Sequence, residues 1–118
     1  MQNLQLNLSP KCFALIIAGL GIVEWNHSIM HVRRLLGISR SQFNSKWNGK
    51  ENQAIFKMLG IIKKEKKKGA REVVIVFQKN EFYEETLEQL CIQNGIKFVE
   101  LIKLCQRISK GEFYKEID

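Results

Sequence analysis

The chain has 118 residues, of which 45% are hydrophobic and 26% charged, and its formal net charge is +7. These proportions are those of one globular domain and exclude wholesale disorder. The longest apolar run, CFALIIAGLGIV at 12–23, is too short to span a bilayer and has no basic region before it. We therefore expect a cytoplasmic protein with no membrane segment.

The first third of the chain predicts two strands. Leucines alternate with polar residues at 4–8, which indicates a short edge strand. The continuous apolar run at 12–19 favours a buried central strand, with the start of a buried helix as the alternative. Two glycines follow in the stretch 18–21, but Glu24 stands where a dinucleotide-binding loop needs a third glycine. We therefore predict no cofactor and assign these glycines to close packing.

The middle of the chain predicts three helices. Apolar residues recur at three- and four-residue steps over 22–36, and Gly37 is a typical helix stop. Ser39 is placed to cap a short second helix that extends through Trp47. A third helix is predicted from about 51 to 67, where the sequence becomes rich in lysine.

The second half has the pattern of alternating strands and helices. The run EVVIVF at 72–77 predicts a buried strand, and the segment 80–95 predicts a helix capped by Asn80. The run at 96–104 is interpreted as the next strand. Residues 71–104 would then form a strand–helix–strand unit with a parallel, right-handed crossover.

These elements predict one α/β domain over residues 1–118. Its three- or four-stranded, largely parallel sheet would carry four or five helices, with a basic helical segment at 28–68. The three cysteines, Cys12, Cys91 and Cys105, have apolar neighbours and form no C-x-x-C pair, so we expect reduced, buried thiols. With only two histidines in the chain, a structural zinc site is not expected.

The positive charge is concentrated in the middle of the chain. Residues 33–68 hold eleven lysines and arginines against two glutamates, whereas residues 69–118 hold seven against nine acids. Residues 1–32 carry no net charge. Such asymmetry points to a polyanionic partner, and phosphate backbones are the commonest one.

Residues 28–47 resemble the helix-turn-helix of bacterial regulators and small transposases in the portion LLGISRSQFNSKW, with Gly37 in the turn, Ser39 as cap and Phe43 facing inward. Arg33 and Lys46 depart from that pattern. The resemblance implies a nucleic-acid-binding protein, DNA or RNA, with a regulatory or mobile-element role. Base contacts are expected from two amides, Gln42 and Asn44. Phosphate contacts are expected from the basic residues at 33–68, which are Arg33, Arg34, Arg40, Lys46, Lys50, Lys57, Lys63, Lys64, Lys66, Lys67 and Lys68.

Two alternatives belong to other classes. Glu24, His27 and His31 fall on one helical face and could serve a small nuclease or other hydrolase as an acid–base pair or metal ligands. Because Asp118 is the only aspartate, a magnesium-dependent nuclease is disfavoured. The other alternative is an inhibitor or adaptor that binds an acidic protein, or a homodimer in which the basic face meets the acidic half of a second copy.

Overall fold

Helices dominate the structure. The computed structural model describes residues 10–23, 29–66 and 73–110. In chain order its elements are α1 (Pro10–Ile22), α2 (Ile29–Leu36), α3 (Arg40–Trp47), α4 (Lys50–Leu59), β1 (Ile61–Lys66), β2 (Val73–Phe77), α5 (Tyr83–Gln93) and α6 (Phe98–Ser109).

The predicted α/β fold with a three- or four-stranded parallel sheet is wrong. The strands of the described residues are β1 and β2, which pair antiparallel, with Ile61 opposite Phe77 and Lys66 opposite Val73. The register shifts by one residue between Ile62 and Glu65. Two strands this close in sequence can pair antiparallel without a crossover helix, and Ile61 and Ile75 of this sheet are buried in the same core as the helices.

The apolar run predicted as a central strand is the central helix, α1. Every residue from 13 to 20 is buried, and α1 packs against α3, α4, α5 and α6. A helix surrounded on all sides has no polar face, so its sequence lacks the periodicity that distinguishes a helix from a strand. The alternative of a buried helix start was therefore the correct one.

The last predicted strand, 96–104, is also a helix. Residues Phe98–Ser109 form α6, whose buried side chains Leu101, Cys105 and Ile108 recur at helical steps. The preceding helix, α5, is confirmed within 80–95, and Gly95 follows it with a φ of 70°. Because α5 and α6 are consecutive helices, the strand–helix–strand unit predicted at 71–104 is wrong.

The predicted helix at 51–67 is confirmed only up to Leu59. Gly60 ends α4 in the left-handed conformation, with a φ of 80°, and a Cβ there would lie 2.3 Å from the Gln78 carbonyl oxygen. The chain therefore turns at Gly60 and continues as β1. The helix predicted at 22–36 is confirmed as α2 over 29–36, whereas residue 22 belongs to α1. The strand predicted at 4–8 lies outside the described residues.

Close packing explains the two glycines of α1. A Cβ at Gly19 would lie 2.6 Å from Cys105 Sγ of α6, and a Cβ at Gly21 would lie 2.7 Å from the Phe77 ring of β2. The close helix–strand packing predicted for these glycines is therefore found at Gly21, whereas Gly19 packs one helix against another. Next to them, the Tyr83 hydroxyl donates a hydrogen bond of 2.8 Å to the Ala18 carbonyl.

The cysteines are free thiols in the helical core. Cys91 and Cys105 are buried, as expected, whereas Cys12 is half-buried. Burial raises the pKa of Cys91 to about 11 and that of Cys105 to about 12. Both thiols therefore stay protonated at neutral pH, as inert small hydrophobic groups.

Candidate nucleic-acid interface

The predicted helix–turn–helix corner exists and is formed by α2 and α3. Gly37 follows α2 with a φ of 71°, and the Ile38 amide donates a 3.1 Å hydrogen bond to the Arg33 carbonyl. This bond spans the last turn of α2 as in a Schellman cap. Ser39 is the N-cap of α3, which runs through Trp47 as predicted.

A reciprocal capping box fixes the start of α3. Ser39 Oγ accepts a hydrogen bond of 3.2 Å from the Gln42 amide, and Gln42 Oε1 accepts one of 2.8 Å from the Ser39 amide. Gln42 is exposed. Bidentate recognition of adenine uses the oxygen and the nitrogen of an amide side chain. Because the Gln42 oxygen is already engaged, this residue has a structural role. The sequence interpretation missed that role, although the three-residue spacing from Ser39 to Gln42 is the signal of a capping box.

An aromatic cluster anchors α3 and α4 to the central helix. The Phe13 ring of α1 meets the Phe43 ring of α3 edge to face at 5.5 Å. Phe43 stacks on Trp47 at 5.5 Å, and Trp47 lies 4.5 Å from Phe56 of α4, between ring centroids. All four side chains are buried. Rigid support of this kind fixes the direction in which the outer faces of α3 and α4 point.

Two amides of α4 join it to the end of α3. Asn52 is 1% exposed, and its Nδ2 donates a 2.6 Å hydrogen bond to the Lys46 carbonyl. Gln53 Nε2 donates to the Trp47 carbonyl. Asn52 Oδ1 and Trp47 Nε1 are buried and lack a partner within the described part of the chain. The connection between α3 and α4 is therefore held by side chains as well as by the turn at Asn48.

The structure distributes the predicted contact residues among three groups. Arg34, Arg40, Gln42, Lys50 and Lys57 are exposed along α2, α3 and α4. Arg33, Asn44 and Lys46 are half-buried, and Arg33 Nε is buried without a partner among the described residues. The remaining five residues are lysines. Lys63, Lys64 and Lys66 belong to β1, and Lys67 and Lys68 lie outside the described residues.

The outer face of α3 is polar and carries no carboxylate. Arg40, Ser41 and Ser45 are exposed on it, and Asn48 is exposed directly after the helix. The sequence interpretation missed Ser45 and Asn48 as surface groups. Their signal is the spacing from Ser41, which is four residues to Ser45 and seven to Asn48 and places all three on one side of the helix.

Charge remains asymmetric within the described residues. The segment 29–60 holds six lysines and arginines and one carboxylate, Glu51, whereas the segment 73–110 holds five cations and five carboxylates. A net excess of five positive charges therefore remains at 29–60 when the lysines at 63–68 are left out.

The alternative enzymatic site is not assembled in the described part of the chain. Glu24 and His27 lie outside it, and His31 is half-buried on α2. Among the described residues, no three histidine, cysteine or acidic side chains are grouped so that they could hold a metal ion.

No helix of the described residues is long and apolar enough to cross a membrane. Comparison of the chain with protein-family models, with curated proteins and with solved structures gives no match. The interface therefore has to be interpreted from its own chemistry.

Proposed function

We propose that the protein binds nucleic acid through the basic surface of α2, α3 and α4. The observation that supports this most directly is the excess of six cations over one carboxylate at 29–60, with Arg34, Arg40, Lys50 and Lys57 exposed. Cations that neutralise phosphates release condensed counterions, and this release favours binding. The free thiols of the core suit a reducing compartment, so the proposal includes a cytoplasmic location.

The aromatic cluster supports the same function. Phe43 and Trp47 pack on the buried side of α3 and hold the helix in place, so its exposed side would not have to become ordered on binding. A preformed surface avoids part of the entropy cost of association. The β1 strand begins two residues after α4 ends, which brings the backbone of Lys63, Lys64 and Lys66 close to α4 in the chain.

The test is the salt dependence of affinity for duplex DNA, single strands and structured RNA. We expect the logarithm of the binding constant to fall linearly with the logarithm of the salt concentration. Lys50→Ala and Lys57→Ala should each lower the slope by about one. Both lysines are exposed, so neither change should alter thermal unfolding.

The matched control is Lys103→Ala, which removes an exposed lysine from α6 and leaves the basic helices intact. It should leave the slope unchanged. Binding that is flat between low and moderate salt would contradict the proposal, as would an equal effect of Lys103→Ala. Competition by polyglutamate as strong as by nucleic acid would instead assign the surface to an acidic protein partner. A mass of two chains at low salt and one at high salt would assign it to a second copy.

A further inference from the structure

We infer that the outer surface of α5 and α6 is a contact between two copies of this chain, in which α5 of each copy lies against α6 of the other. This surface belongs to other helices than the basic surface of α2, α3 and α4, so the contact goes beyond the proposed function. It adds a partner, which is a second copy, and the symmetry with which that partner binds.

Charge is separated between these two consecutive helices. The segment 80–96, which contains α5, holds no cation and four carboxylates, all of them exposed: Glu81, Glu84, Glu85 and Glu88. The segment 97–110, which contains α6, holds one carboxylate, Glu100, and four exposed cations: Lys97, Lys103, Arg107 and Lys110. The even balance of charge at 73–110 is therefore the sum of an acidic helix and a basic helix.

The acidic and the basic helix lie side by side. Helices α5 and α6 pack against each other, and both pack against α1. The buried sides of both helices face the core, so their exposed sides form one outer surface. A two-fold axis that passes between the two helices would place the acidic helix of one copy opposite the basic helix of the other, and would do so twice.

Apolar side chains are exposed on the same two faces. Phe82 and Ile92 are 56% and 62% exposed, and they lie three residues before and seven residues after Glu85, on one side of α5. Val99 is 62% exposed and lies four residues before Lys103, on the charged side of α6. The surface therefore offers apolar area for burial as well as charge, a combination that is typical of contacts between proteins.

The charge pattern favours a second copy over other occupants. Four carboxylates on α5 repel phosphate backbones, so nucleic acid does not suit this surface. A partner must instead present positive charge to α5 and negative charge to α6. A second copy has this pattern by symmetry, because its own α6 is basic and its own α5 is acidic.

The experiment is sedimentation equilibrium of the full chain at one fixed, moderate salt concentration and over a range of protein concentrations. We expect the mass of one chain at low concentration and of two chains at high concentration. Two double variants, Glu85→Lys with Glu88→Lys on α5 and Lys103→Glu with Lys110→Glu on α6, should each weaken association at least about tenfold, because the reversed charges then face like charges.

A mixture of the two double variants tests the pairing directly. In the mixture, the unchanged acidic α5 of one chain can again meet the unchanged basic α6 of the other. We therefore expect the mixture to associate more tightly than either variant alone, a result that a folding defect would not produce. A mixture that associates no more tightly than its parents would overturn the inference, as would the mass of one chain at every concentration of the unchanged protein.

The matched control is Lys50→Glu with Lys57→Glu, which reverses two exposed lysines of α4 and changes the net charge as much as the α6 variant does. It should leave association unchanged. The mass of two chains does not by itself distinguish this contact from a second copy on the basic surface, so the control decides between them. Loss of association in the control would overturn both the inference and the proposed function. Association of the unchanged chain that follows these expectations, without binding to any nucleic acid, would overturn the proposed function alone.

Discussion

At Gly19 the helices α1 and α6 are in direct contact, because a hydrogen atom takes the place of a side chain there. A methyl group at this position would lie 2.6 Å from Cys105 Sγ, well inside van der Waals contact, and 3.5 Å from Leu101. Cys105 Sγ is held at 3.5 Å from the Ile16 carbonyl oxygen, so it has little room to move away. The packing of α1 on α6 therefore depends on one glycine and one thiol.

Gly19→Ala should lower the free energy of unfolding by about 1–3 kcal/mol, the usual cost of overpacking a core. In a Cys105→Ala background the new methyl group fills the space left by sulfur, so the same change should be neutral or stabilising. Urea unfolding of the two single variants and the double variant measures the coupling. Equal costs of Gly19→Ala in both backgrounds would show that the two residues do not compete for this space.

At the scale of the elements, α3 depends on its cap. Ser39→Ala removes the hydrogen bond from the Gln42 amide to Ser39 Oγ but keeps the one from the backbone amide of residue 39 to Gln42 Oε1. It should lower the free energy of unfolding by about 0.5–2 kcal/mol. Ser45→Ala on the exposed face of the same helix is the control. It should be neutral or slightly stabilising, since alanine has the higher helix propensity. If both changes had the same effect in thermal unfolding, the cap would not be what stabilises α3.

Element boundaries were predicted well where a local signal ends a helix. Gly37 and Ser39 mark helix ends by their backbone conformation or hydrogen bonds, and both were identified from sequence. Gly60 gives the same signal, but the lysine-rich stretch after it is compatible with a helix and obscured the boundary. Local chemistry therefore identified the α2–α3 corner, which forms the centre of the candidate interface.

Element types were predicted poorly where burial removes the pattern. The central helix is buried over 13–20, so its sequence shows no polar face. In α6 the buried positions Leu101, Cys105 and Ile108 follow a helical step. The sequence interpretation ended the element at 104, so it included Leu101 but left out Cys105 and Ile108, and the helical spacing was not recognised. Tertiary contacts determine the central helix, and a single sequence does not display those contacts, whereas the helical spacing of α6 is present in its sequence.

At the scale of the whole molecule, the buried thiol and phenol groups predict how the free energy of unfolding depends on pH. Burial raises the pKa of Cys91 to about 11 and of Cys105 to about 12, and it also raises the pKa of Tyr83. An unfolded cysteine has a pKa of about 8.5. The unfolded chain therefore releases these protons first, and stability is full below about pH 8 and falls as the pH rises toward the folded pKa values.

The measurement is the free energy of unfolding between pH 7 and pH 10.5, with a reductant present. We expect a decline above about pH 8.5 and a shallower decline in Cys91→Ala, because that variant has one buried thiol fewer. Identical pH profiles for the wild type and the variant would contradict the assignment of the decline to the buried thiols.

The central position of α1 has a consequence for biosynthesis. The hydrogen bond from Cys105 Sγ to the Ile16 carbonyl joins residues 89 positions apart, and the α1 residues that it helps to bury precede every other described element. A ribosome therefore releases the most apolar helix first and its α6 partner last. Until α6 emerges, the nascent chain exposes a surface that chaperones recognise and that promotes aggregation. The burial of α1 can therefore begin on α3, α4 and α5 but is completed only when α6 is present.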